Sequence, residues 1–153
     1  MYEETDQKVS EPPAQSRALP APPDQKGTIL LVEDEASVRA FTSRALRLNG
    51  YDVIEASQAD EALDIVRQSN HHIDIFITDI VMPGQSGPEW VRDALILRPE
   101  AKVIFVSGYT PDKLDVDIRG ISEEEPVFLA KPFALSDIVK AVEGQMSRAV
   151  SHA

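Results

Sequence analysis

The chain has 153 residues and a formal net charge of −11, with 26 acidic side chains against 15 lysines and arginines. That acid excess opposes direct binding to a nucleic-acid backbone. The lack of any cysteine rules out disulfides and thiolate zinc sites and makes a reducing cytosol the default compartment. No apolar run is long enough to cross a membrane, and the first residues do not read as a signal peptide.

Residues 1–27 hold five of the eleven prolines (Pro12, Pro13, Pro20, Pro22, Pro23) among Gln, Glu, Ser and Ala. So few large apolar groups cannot offset the entropy of ordering the segment, which reads as a flexible linker before a folded domain over 28–148. A short tail over 149–153 is expected to fray. Thr28–Val32 is a β-branched apolar strand, followed by Val38, Phe41, Ala45 and Leu48 at helical spacing and a stop at Asn49-Gly50. A short strand over 51–55 precedes a helix capped by Ser57 and running to about Ser69, with Ala62, Leu63 and Val66 inward. The apolar run 73–78 is the third strand and ends at Asp79. Pro88 then opens a helix that Arg98-Pro99 closes. Strands over 102–107 and 126–130 follow, and a final helix begins at Ala134 or Ser136 with Leu135, Ile138, Val139, Val142 and Met146 inward. Only 109–125 is weakly patterned: a short helix over 111–118 is conceivable, but Gly120 and the acidic Glu123-Glu124-Glu125 support it poorly. Five alternations with right-handed crossovers predict an α/β fold, a doubly wound five-stranded parallel sheet with helices on both faces.

Such sheets place their chemistry at the carboxyl ends of the strands. Here those ends are Glu33 and Asp34 after the first strand, Asp79 after the third, Ser107 after the fourth and Lys131-Pro132-Phe133 after the fifth. Three acids converging on one edge repel one another, and a divalent cation is the natural reason to tolerate them.

The set Leu31-Val32-Glu33-Asp34-Glu35, Asp79 with Met82-Pro83-Gly84, Ser107-Gly108, and Phe128 with Lys131-Pro132-Phe133 resembles the response-regulator receiver domain of two-component signalling, over roughly residues 27–148. The resemblance implies a flavodoxin-like fold with Asp79 as phosphoacceptor, taking a phosphoryl group from phosphohistidine. It implies Mg²⁺ held by Asp34, Asp79 and the Val81 backbone carbonyl, with Glu33 acting through water. Lys131 and the Ser107 hydroxyl would contact phosphoryl oxygens, and Ser107 with Phe128 would form the switch. Lys131-Pro132 resembles the family's cis peptide. Val81 and Tyr109 would tune the access of hydrolytic water. Neither activates water and both are bulky, so a long-lived aspartyl phosphate is expected. Glu33 stands where aspartate is common, and Phe128 lacks the phenol hydroxyl often found there.

The remaining motifs have plainer readings. His71-His72 fits a helix end or solvent, Trp90 fits core packing, and Glu123-Glu124-Glu125 fits a solvated loop. A haloacid-dehalogenase type phosphatase would need a second aspartate two residues past Asp79, where this chain has Val81. A degenerate interaction module would have lost the nucleophile, the acidic pair or the lysine, and all are present. The Pro-rich linker fits the C-terminal receiver of a hybrid histidine kinase, and the Ser107-Gly108-Tyr109 motif, the weakly patterned segment after it and Phe128-Leu129-Ala130-Lys131-Pro132-Phe133 are most similar to the receiver of alphaproteobacterial cell-cycle hybrid histidine kinases. That implies exchange with a kinase dimerisation domain and a histidine phosphotransferase, and no turnover of a free substrate. A stand-alone single-domain regulator is the alternative. Donor docking is expected beside the first helix and the loop after Lys131, at Ala36, Ser37, Arg39, Ala40 and Phe133.

Overall fold

The structure is a computed structural model that describes residues 26–68, 70, 72–108 and 126–151. The possible helix over 111–118, Tyr109, the acidic run 123–125, His71 and the linker before residue 26 lie outside the described residues.

The elements are β1 (Gly27–Val32), α1 (Ala36–Leu48), β2 (Tyr51–Ala56), α2 (Ala59–Gln68), β3 (Ile75–Asp79), α3 (Gly87–Leu97), β4 (Lys102–Ser107), β5 (Val127–Ala130) and α4 (Leu135–Ser151). All five strands are parallel and lie in the order β2-β1-β3-β4-β5. The expected doubly wound sheet is therefore the observed one. Its direction of winding reverses between β1 and β3, where the carboxyl edge opens a crevice.

Alternation along each strand divides the core into two layers. Leu30, Val32, Phe76, Val103 and Phe105 face Ala62, Leu63 and Val66 of α2 and Trp90, Val91 and Ala94 of α3. Ile29, Leu31, Ile75, Ile77, Ile104 and Val106 face Leu46 of α1 and Ile138 and Val142 of α4. The same parity carries Glu33, Asp79 and Lys131 past their strands on the α1/α4 side. Val32 pairs with Thr78, so one further step of that register brings Glu33 beside Asp79.

Local details depart from the sequence reading in instructive places. Of the apolar residues at helical spacing in α1, Ala45 is buried but Phe41 and Leu48 are 56% and 75% exposed, whereas Thr42, Ser43 and Leu46 are buried. The buried stripe of α1 is thus turned by one residue, because Ser43 bonds Glu55 of β2 at 2.9 Å and satisfies its hydroxyl there. Ser57, expected to cap α2, lies one residue before the cap position: its hydroxyl and amide donate to Glu61, and α2 begins at Ala59. The cap of α3 is Ser86, whose hydroxyl accepts the Glu89 amide while the Glu89 carboxylate accepts the Ser86 amide. His72 is 71% exposed and pairs with Asp74 at 3.0 Å, in keeping with the solvent reading. Helical backbone in α4 continues to Ser151, into the segment read as a fraying tail.

Candidate functional site at the carboxyl edge

Asp79 is the last residue of β3 and is 5% exposed. The main chain around it is tightly held. The Ile80 amide donates to the Val106 carbonyl at 3.0 Å and the Gly87 amide to the Ile80 carbonyl at 2.9 Å. A Cβ on Gly87 would lie 2.1 Å from the Asp79 carbonyl oxygen, so only glycine lets α3 begin this close to β3. On the other side of that carbonyl, the Thr78 hydroxyl donates to it at 2.9 Å and itself accepts the buried Trp90 indole N–H at 3.0 Å. Trp90 is core, as expected, with its ring centroid 5.2 Å from that of Phe76.

Lys131 reaches across from the end of β5. Its Nζ lies 2.8 Å from Asp79 Oδ1 and 2.9 Å from Glu33 Oε1. The Lys131 amide donates to the Ser107 carbonyl at 2.7 Å, and the Lys131-Pro132 peptide is cis. Glu33 Oε2 also accepts the Glu35 amide at 3.1 Å. The carboxylates of Glu33, Asp34 and Asp79 each offer an oxygen within 4.8 Å of the others, with Asp34 facing solvent and the other two buried.

The charge balance of this cluster is uneven. Burial, then the neighbouring Glu33 carboxylate, pushes Asp79 up to about 8 from an ordinary 3.8, against the pull of Lys131. Burial would also raise Glu33, but hydrogen bonding with Asp79, Lys131 and the Glu35 amide outweighs it and holds Glu33 below its ordinary value. Burial opposes the charge on Lys131, yet Asp79 and Glu33 raise its affinity for the proton. One lysine thus serves two acids, and among the described residues Asp79 Oδ2 is buried with no hydrogen-bond partner. A buried carboxylate oxygen without a donor is costly unless something else occupies its lone pairs. The all-oxygen donor set and that orphaned atom fit a hard divalent cation.

The other sequence-selected residues fall around this centre. Ser107 is buried at the end of β4, the strand next to β3. Phe128 is partly buried against the α2/α3 layer, on the face opposite Lys131. Val81 lies in the turn after Asp79 with 58% of its surface exposed, followed by buried Met82 and by Gly84 at φ +81°. Of the docking candidates, Ala36, Ser37 and Ala40 are exposed. Arg39 and Phe133, expected on the open surface, are half-buried: Arg39 bonds the Glu33 carbonyl at 2.7 Å, and Phe133 packs on the α1/α4 layer. Gly87, Thr78, Arg39 and Glu55 support the site in ways the sequence pattern does not announce. Ser86-x-x-Glu89 was readable as a capping box; the long-range roles of the others had no local signal.

Fold and site together define a receiver domain, and the comparisons with known proteins agree. A family model for the response regulator receiver domain matches residues 29–143, and the chain belongs to that family. It is 38% identical over 121 residues to the sensor kinase CckA of Brucella abortus, covering 79% of this chain. The matched region spans only 13% of that kinase's length. It is 33% identical to the response regulator receiver protein CpdR of the same organism, over 75% of this chain and 92% of CpdR. Among solved structures, the receiver domain of hybrid histidine kinase CckA superposes with a TM-score of 0.67 at 37% identity, covering 78% of this chain and 99% of that domain. A Clostridium thermocellum receiver domain gives 0.72 at 28% identity, covering 83% and 99%.

Proposed function

We propose that the domain is a phosphoacceptor in a phosphorelay, exchanging a phosphoryl group between Asp79 and histidines of a kinase dimerisation domain and of a histidine phosphotransferase. The observation that carries this reading is the buried, partnerless Asp79 Oδ2 inside an acidic triad with Lys131 at 2.8 Å. In the transfer, an Asp79 oxygen forms the new bond to phosphorus as the P–N bond of phosphohistidine breaks, and the imidazole nitrogen keeps the electron pair and takes up a proton. Glu33, Asp34, Asp79 and the Val81 carbonyl would hold Mg²⁺, which neutralises phosphoryl charge when bound. Lys131 neutralises a second phosphoryl oxygen and the Ser107 hydroxyl donates to a third. Phe128 packs inward behind Ser107 as the switch. Ala36, Ser37 and Ala40 form the exposed part of the donor's docking face.

The domain read as 28–148 takes in Gly27 of β1 and a last helix that runs to Ser151, follows a linker over the residues before it, and works in the cytoplasm. Similarity to CckA supports the C-terminal receiver of a hybrid kinase. The 92% coverage of CpdR favours a second reading, a single-domain response regulator. An upstream kinase core in the full reading frame would decide for the first.

Intact-mass analysis after incubation with Mg²⁺ and a small phosphodonor tests the acceptor. One added phosphoryl group is expected on the wild type and none on Asp79→Asn. Equal labelling of both proteins would refute the assignment. Val81 is bulky and offers water no base, so the phosphoprotein should persist for minutes or longer; decay within seconds would contradict that.

A further inference from the structure

Arg39 sits five residues past Asp34 on the first turn of α1, where a surface role is the ordinary expectation for an arginine. Its side chain is only 21% exposed. One guanidinium nitrogen, Nη1, donates to the Glu33 carbonyl at 2.7 Å, and Nε lies 3.6 Å from Glu55 Oε1 on β2. Glu55 is itself held by the Ser43 hydroxyl at 2.9 Å and by Arg47 at 3.3 Å, and Arg47 is anchored on the Val53 carbonyl at 2.8 Å. The Glu33 amide meanwhile donates to the Ala56 carbonyl at 3.1 Å. Both polar groups of the Glu33 backbone are therefore tied to the β2 side of the sheet, one directly and one through Arg39.

The Glu33 carbonyl belongs to the peptide unit that leads into Asp34. Fixing its direction fixes where the Asp34 carboxylate leaves the strand and how the two carboxylates are spaced. A planar fork is needed to touch the carbonyl and Glu55 at once, which a lysine ammonium cannot do. We propose that Arg39 is a positioning residue: braced by Glu55, it sets the geometry of the Glu33–Asp34 pair and thereby the affinity of the domain for a divalent cation. This rests on the receiver reading above, and it removes Arg39 from the docking face.

Charge and geometry predict opposite signs, which makes the idea testable. Removing a cation near an acidic cluster should tighten a divalent ion by Coulomb's law; removing a brace should loosen it. Calorimetric titration of Mg²⁺ into wild type, Arg39→Met and Arg39→Lys, with metal-free melting curves for each, reads the difference. Both variants should bind Mg²⁺ about tenfold more weakly, the lower end of what losing an outer-shell partner does. Phosphorylation by a small donor and by a protein donor should fall in the same proportion. Tighter or unchanged Mg²⁺ binding by Arg39→Met would overturn the proposal. A lowered melting point with the dissociation constant retained would reduce Arg39 to a structural residue. A defect confined to the protein donor would return it to the docking face. A wild-type domain that takes up neither Mg²⁺ nor phosphoryl would end the phosphoacceptor reading and this inference with it, whereas a competent wild type with matching variants would end only the inference.

Discussion

Two aspartates flank the same strand, Asp74 just before β3 and Asp79 at its end, and they have opposite fates. Asp74 is fully employed at the amino edge. Its carboxylate accepts the Thr28 amide at 2.9 Å and pairs with His72 at 3.0 Å, while its amide and carbonyl bond Thr28 and Lys102. Asp79, at the carboxyl edge, shares one lysine with Glu33, leaves one oxygen without a partner and is pushed up to about 8. The sequences around them are equally apolar. What differs is the edge: strand ends at the amino side close onto neighbouring amides, whereas those at the carboxyl side open where the sheet reverses its winding. A satisfied carboxylate holds the fold together; an unsatisfied one is held ready for a ligand.

Exchanging the two functions by mutation is the strongest test. Asp79→Asn should abolish phosphoryl uptake and raise the melting point of the metal-free domain by about 4 °C or more, since a buried, under-compensated acid is removed. Asp74→Ala should leave uptake intact but cost about 1–3 kcal/mol of stability, because the Thr28 amide loses its acceptor. Denaturant melts and mass analysis on both variants would show whether the division holds, and a phosphorylation defect in Asp74→Ala would erase it.

Glycine substitutions sharpen the contrast at the main chain. Gly87→Ala drives a methyl group against the Asp79 carbonyl, a backbone atom that no rotamer change can move aside, and should cost about 3 kcal/mol while slowing phosphorylation. Gly84→Ala meets open space and only the left-handed φ of +81°, so about 1–2 kcal/mol with the acceptor in place is expected. Equal phosphorylation rates in the two variants would mean that the close approach of α3 does not position Asp79.

The pH dependence of the metal-free domain is a subtler reading of the same asymmetry. Asp79 holds its proton more tightly folded, at about 8, than at its ordinary 3.8, so stability declines as pH rises through that interval. Glu33, shifted down, is already ionised in both states above its ordinary 4.5, and Lys131, shifted up, stays charged in both below its ordinary 10.5. Within this cluster, the decline between pH 6 and 8 therefore belongs to Asp79. Melting points should fall across that range in the wild type and stay level in Asp79→Asn; parallel slopes would assign the effect elsewhere. The smallest change expected is Trp90→Phe, which keeps most of the packing, loses the bond to Thr78 and should cost about 1 kcal/mol.

Much of this molecule could be read from the chain. The five strands and the four groups Glu33, Asp34, Asp79 and Lys131 at their ends all follow from period, punctuation and position at strand ends, because those signals are local. The Lys102–Ser107 strand matched to the residue. The stripe of α1 did not, since helical spacing alone cannot tell a face carrying Phe41 and Leu48 from the adjacent one carrying Ser43 and Leu46; a polar partner on β2 decided it.

The sequence by itself determined which groups stand at the carboxyl edge, because strand alternation and apolar runs are written residue by residue. Only the tertiary structure decided how their charges are shared. Lys131 meets Glu33 across 98 residues of chain, Arg39 turns inward to hold the Glu33 carbonyl, and one oxygen of Asp79 is left over. Burial and partner count depend on what other segments bring to the same place, and no local pattern encodes that.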